Sequence, residues 1–154
     1  MSGICAFFGH RDTNITYELE RKFEETVLAL IDEGIDEFWC CEQGNFDWLS
    51  RMVMLRIKKN NPFIYLCYIP ASDMRKFSKV RQKYLDENFE ILYADEMEAP
   101  HPRLSIVYRN NYIAKNADVI VCYVTTNSGG AYKAVEIARK NEKKVINLAG
   151  MYDA

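Results

Sequence analysis

The sequence predicts a three-layer α/β sandwich, a mostly parallel sheet held between two layers of helices. Short apolar runs recur along the chain without the polar alternation of a half-solvated strand. Stretches with apolar residues at helical spacing separate them. Turns rich in Gly, Asn and Asp follow several of the runs, as βαβ units require. At 154 residues the chain is expected to form one domain over 1–154, long enough to bury its own core.

Gly3–Phe8 (GICAFF) reads as a first strand buried on both faces, ending in the polar turn Gly9-His10-Arg11-Asp12. Asn14 or Thr16 caps the helix that follows, and Glu18 and Glu20 suit its first turn. Leu19, Phe23, Val27, Leu30 and Ile31 form its apolar face, and Gly34 stops it. Asp36–Cys41 is the second strand. Asn45 or Asp47 then caps a helix with Leu49, Met52, Val53 and Ile57 on one face. Pro62 ends that helix by disfavouring helical backbone at Asn61. Phe63–Ile69 is the third strand. A charged helix is expected from Asp73 to Tyr84, forming an exposed surface or a mobile flap. Asn88–Tyr93 is a weaker fourth strand, and the acidic, proline-bearing Ala94–Pro102 is loop. Leu104–Asn116 reads as a helix, Ala117–Tyr123 as the fifth strand and Lys143–Leu148 as the sixth. Between these last two, TTNSGG (Thr125–Gly130) opens a helix running to Lys140.

A hydrophobic content of 49% with 27% charged residues is that of an ordinary globular protein. The net charge of −2 gives no electrostatic reason to expect a nucleic-acid polymer or an anionic membrane as partner. A small anion is compatible with it, because backbone dipoles hold anions locally. No basic region precedes the first apolar run, and no apolar stretch nears the ~20 residues of a membrane span. A cytosolic location is expected. Cys5, Cys40, Cys41, Cys67 and Cys122 lie in the strand runs without CxxC spacing, and only two histidines accompany them. Reduced core thiols, no metal and no cofactor are therefore expected.

In a parallel sheet the loops after the strands gather at one rim, and ligands bind there. Gly9–Asp12, Glu42–Asp47 and Thr125–Ala131 converge in this way. Strand, Gly129-Gly130 and helix together offer free backbone N–H groups to a phosphate, with Ser128 beside them. Arg11 can clamp a phosphate or carboxylate bidentately, or salt-bridge Asp12 or Asp47. His10 is a candidate for a ribose or phosphate contact. Gly44 permits its turn, and Asp47 is either a ligand contact or a helix cap. Arg109 and Asn110 precede the fifth strand and face either the rim or solvent. Glu42 can bind a ribose hydroxyl or serve as a base, or it is a solvated loop residue. Glu136 is the candidate catalytic carboxylate, able to stabilise oxocarbenium charge at a ribose, as carboxylates do in glycosidic cleavage. Phe8, Phe46 and Tyr132 are candidates to stack on a base. GxGxxG and GxxxxGK[ST] are both absent, so dehydrogenase and P-loop readings lack their fingerprints.

CAFFGHRDT (Cys5–Thr13), YRNNYIAKNADVIVCY (Tyr108–Tyr123) and SGGAYKAVEIA (Ser128–Ala138) together resemble the SLOG superfamily, in particular its small bacterial and phage-borne branch. The resemblance covers almost the whole chain. It implies a Rossmann-like fold that binds nucleotides or nucleotide-derived ligands. Relatives in that superfamily include the Lonely Guy phosphoribohydrolases, a DNA-processing protein and sensors of cyclic ADP-ribose-type signals. Carried over residue by residue, it implies ligand contacts at Gly9, Arg11, Gly129 and Gly130, places Arg109 and Asn110 in the pocket, and implies a homo-oligomer. The Lonely Guy motif PGGxGTxxE matches at Gly129, Gly130 and Glu136, whereas Ser128, Tyr132 and Lys133 replace its Pro, Gly and Thr. Those replacements favour binding of a nucleotide or nucleotide-derived small molecule, such as an ADP-ribose-type signal, over hydrolysis of a nucleoside 5′-monophosphate. A scaffold using the charged segment Asp73–Glu98 to bind a partner is the third alternative.

Overall fold

Strands covered on both faces need apolar side chains at every position, and β1 (Ile4–Gly9) supplies them. Cys5 and Phe7 point into one layer of the core, Ala6 and Phe8 into the other. The computed structural model describes residues 3–150. After β1 come α1 (Tyr17–Asp32), β2 (Glu37–Cys40), α2 (Asn45–Asn60) and β3 (Tyr65–Tyr68). Then follow α3 (Lys79–Asn88), β4 (Glu90–Ile91), α4 (Ser105–Asn116), β5 (Val119–Tyr123), α5 (Gly130–Lys140) and β6 (Lys144–Asn147). The sheet order is β4-β3-β2-β1-β5-β6, and every neighbouring pair is parallel. The sheet is thus fully rather than mostly parallel.

Leu19, Phe23, Val27 and Leu30 of α1 pack with Leu49, Val53 and Ile57 of α2 and Leu85 of α3 on one face. Ile113 and Ala114 of α4 join Ala134, Val135 and Ala138 of α5 on the other. On the first face, the Phe23 ring lies 5.0 Å from Phe7 and 5.8 Å from Phe46, tying α1 and α2 to the central strand. Among the described residues no helix is long and apolar enough to cross a membrane.

Several local expectations are corrected. Thr16 rather than Asn14 caps α1, its hydroxyl accepting from the Leu19 N–H at 3.1 Å. Gly44, not Asn45 or Asp47, stands at the start of α2, and Met52 on that helix is exposed. The helix expected over Asp73–Tyr84 is instead a short 3₁₀ turn, Met74–Lys76, followed by α3. Ser78 restarts the chain by capping α3, accepting from the Arg81 N–H at 3.2 Å. This segment is also pinned. The Arg81 guanidinium stacks 3.7 Å from the Phe77 ring centre and pairs with Glu42 at 2.7 Å. The fourth strand shrinks to two residues, and the loop over Ala94–Pro102 contains a 3₁₀ turn at Asp95–Met97.

At Gly9, where β1 reaches the rim, an added Cβ would overlap the buried Phe46 ring. Gly9→Ala should therefore cost about 1–3 kcal/mol through overpacking and lower Tm by about 2–12 °C. Combining it with Phe46→Leu should cost less than the sum of the single changes, as a double-mutant cycle in thermal melts will reveal.

Candidate functional site

The sheet order reverses between β1 and β5, and ligands of open α/β sheets bind at such a switch point. Gly9 is in register with Tyr123, so the loops after these two strands leave the sheet at the same height. His10 joins them. Its N–H donates to the Tyr123 carbonyl at 3.4 Å, and its Nε2 accepts from the Thr125 N–H at 3.0 Å. The His10 ring lines the cavity, yet that ring nitrogen is already committed to the backbone.

The loop after β2 braces the same turn from the other side. Gly44 has φ +93°, and a Cβ there would collide with the Arg11 backbone. The Asn45 N–H donates to the Arg11 carbonyl at 2.9 Å, and the Asn45 amide donates to the Thr13 carbonyl at 3.1 Å. Arg11 is thereby held by its main chain, while its side chain is exposed at the rim.

A cavity of about 290 Å³ opens between these loops. Gly9, His10, Arg11, Asp47, Arg109, Asn110, Gly129 and Gly130 all line it. Gly129 starts α5 with φ +95°, a conformation that favours glycine, and no side chain caps the helix. Nothing lies within 4 Å of the Cβ position of Gly129, and only the Asn110 amide comes as near as 4.0 Å at Gly130. The first turn of α5 thus borders open space, with Gly129, Gly130 and Ala131 lining the cavity. Backbone angle, rather than crowding, is what requires glycine at 129.

Arg109 is only 3% exposed, and its Nε and Nη2 donate to the Asn110 side-chain oxygen at 3.2 and 3.0 Å. Among the described residues no carboxylate forms an ion pair with Arg109 or with Arg11. Asp47 is 5% exposed, and its Oδ2 accepts from the Gln43 N–H at 2.7 Å. Burial pushes its carboxyl up to about 6, against the opposing pull of Arg109, the Gln43 N–H, Arg51 and Arg11. The neighbouring Cys41 thiol is pushed up to about 12 by burial, which keeps it neutral.

Three expected site residues lie elsewhere. Gly44 supports Arg11 from beneath and does not line the cavity. Ser128 is exposed beside it, its carbonyl accepting from the Thr126 hydroxyl at 3.1 Å. Glu136 is also absent from the lining and contacts Arg139 at 3.5 Å. Of the aromatic candidates, Phe8 reaches the cavity, Phe46 is fully buried beneath Gly9, and Tyr132 packs against the core instead. Glu42 is occupied, accepting from the Tyr68 hydroxyl at 3.0 Å and pairing with Arg81. Gln43 and Ala131 line the cavity from within the converging loops without having been singled out, and Cys41 and Ile106 line it from outside them. Ile106 had a spacing signal, one helical turn before Arg109 and Asn110.

No family model matches this chain. It is 25% identical over 146 residues to the UPF0398 protein BH1768 of Halalkalibacterium halodurans, covering 89% of this chain and 75% of that protein. Its fold superposes on DNA processing protein A from Helicobacter pylori, with a TM-score of 0.63 and 15% identity over 92% of this chain. The chain spans 63% of the length of that structure, which was described for its single-stranded DNA binding mode. The fold is Rossmann-like. One expectation is overturned here: a net charge of −2 does not set nucleic-acid polymers aside as partners, because a protein of this fold binds single-stranded DNA. Whole-chain charge averages away the local arginines and amides that an anion meets.

The raised Asp47 carboxyl has a signed consequence. From its ordinary value of 3.8 up to about 6, the folded state holds a proton that the unfolded state has released. Stability from this group should therefore fall as pH rises from about 4 to 6 and level off above, a penalty of about 3 kcal/mol. Denaturant melts of wild type and Asp47→Asn across pH 4–8 check this. The difference between their stabilities should change through that window and stay constant above it.

Proposed function

We propose that the chain is a nucleotide-binding member of the SLOG superfamily, forming one domain over 1–154. Its ligand is a nucleotide or nucleotide-derived molecule, either free or within a single-stranded nucleic acid. The observation that carries this reading is the Arg109 guanidinium, nearly fully buried at the cavity without an ion pair among the described residues. A buried cation is costly unless an anion compensates it, and Asp47 does so only at longer range, without contact. The α5 amides at Gly129 and Gly130 and the exposed Arg11 side chain face the same cavity, so a phosphate there meets two cations and a helix N-terminus. Both the resemblance to nucleotide-binding proteins and the DNA-binding structural neighbour agree with a phosphate-bearing ligand.

Binding is better supported than cleavage. Glu136, the carboxylate a glycosidic hydrolysis would use, lies off the cavity beside Arg139.

Titration calorimetry against AMP, ADP, ATP, cyclic ADP-ribose isomers and a 5′-phosphorylated single-stranded oligonucleotide should give saturable heats with at least one of them. Arg11→Ala should weaken that binding about 10- to 100-fold, the worth of a charge-assisted hydrogen bond. It should leave Tm nearly unchanged, since the Arg11 side chain has no ion pair to lose. Flat traces across the whole panel would sink the reading.

A further inference from the structure

We infer that the ligand of this cavity carries a ribose, and that the Asp47 carboxylate reads its hydroxyl groups; this rests on the nucleotide reading above. One Asp47 oxygen serves the start of α2, where the acid stands in the first turn and accepts from the Gln43 N–H. A carboxylate beside a phosphate site is otherwise repulsive, so the second oxygen needs another purpose. Neutralising a cation in contact is not that purpose, because no arginine pairs with it among the described residues. Arg51, one of the cations in its field, is engaged with the Cys41 carbonyl at 2.6 Å.

The side chain is also held in place. One oxygen is fixed by the Gln43 N–H at 2.7 Å, and no other hydrogen bond reaches the carboxylate among the described residues. The residue is only 5% exposed and lines the cavity, so what access its second oxygen has is to that cavity, and acceptors so nearly buried are ordinarily paired. Asp47 therefore presents an acceptor to the cavity that a ligand donor can fill. Phosphates and carboxylates carry no donor when ionised. Hydroxyl groups do.

Spacing places that donor at the sugar. β5, β1 and β2 are consecutive neighbours in the sheet. The ends of β5 and β2, two strand spacings or about 10 Å apart, feed the loops that bring Gly129-Gly130 and Asp47 to opposite sides of the cavity. A phosphate on the α5 amides with its sugar lying across the end of β1 spans that distance. The cavity volume of about 290 Å³ sits at the lower limit of pockets that enclose drug-sized ligands, about 300–1,000 Å³. It suits a phosphorylated sugar, with the base projecting from the mouth. Selection then falls on the sugar, and an analogue without hydroxyl groups leaves a buried acceptor unpaired.

The test compares AMP with 2′,3′-dideoxy-AMP, which differ only in those hydroxyl groups. Wild type should prefer AMP by at least about 10-fold. Asp47→Ala, checked for folding by thermal melting, should bring the two within about twofold of each other. Should that variant fail to fold, Asp47→Asn takes its place, and it should likewise shrink the preference for AMP. Equal affinities in wild type, or a preference for the dideoxy compound, overturn the ribose assignment while leaving the anion site standing. A preference that persists undiminished in a folded Asp47→Ala also overturns it, by assigning the hydroxyl contact elsewhere. If neither nucleotide nor any of the panel above binds, the nucleotide reading falls and takes this inference with it.

Discussion

Parallel pairing governs this molecule. Strands that all run one way must be joined by crossovers, and each crossover delivers its loop to the same rim. From β1 to β4 the chain steps outward one strand at a time, then returns through α4 to place β5 beside β1. That return does two things. It opens the crevice where the order reverses, and it lays α4 over that crevice with Arg109 and Asn110 facing in. Had the fifth strand extended the outer edge instead, the loops after β1 and β5 would not share a register level.

Around the crevice, rigidity comes from backbone rather than from side-chain charge. His10, Gly44 and Asn45 lock the first loop to the starts of its neighbours, leaving the Arg11 side chain unencumbered. Beneath it two opposite charges are withdrawn from water without touching. Arg109 leans on Asn110, and Asp47 on the Gln43 amide. Each lowers the electrostatic cost of the other at longer range, as the opposing influence of Arg109 on the Asp47 carboxyl shows. Contact between them would have been cheaper for folding, so their separation marks stability given up at a pocket.

Where hydrophobic period and capping chemistry agreed, the elements were legible in the sequence. The apolar β1 run, the Leu19-Phe23-Val27-Leu30 face of α1 and the glycine start of α5 are all where residue pattern places them. Charged segments were less legible. Between Asp73 and Tyr84 composition favours helix, but Ser78 captures the Arg81 N–H and starts the helix late. Residue type misleads where a residue acts through packing: Phe46 looks like a stacking platform and is a wall, because Gly9 leaves room for its ring. Arg109 could not be assigned to rim or solvent from spacing alone, since its burial depends on where β5 inserts. Gly44 and Glu136 sit close in sequence to cavity residues yet project elsewhere, a distinction set by backbone angle and helical phase.

The brevity of β4 has a colloidal consequence. A long, flat outer strand would offer its unpaired amides and carbonyls to any passing chain, inviting edge-to-edge assembly. Two residues offer almost no ladder to extend, and α3 ends just before them and packs on the same flank. At the opposite border, β6 starts with the exposed Lys144, a charge that a docking strand would have to desolvate. A sheet this apolar is thus kept from growing by how its two borders are finished.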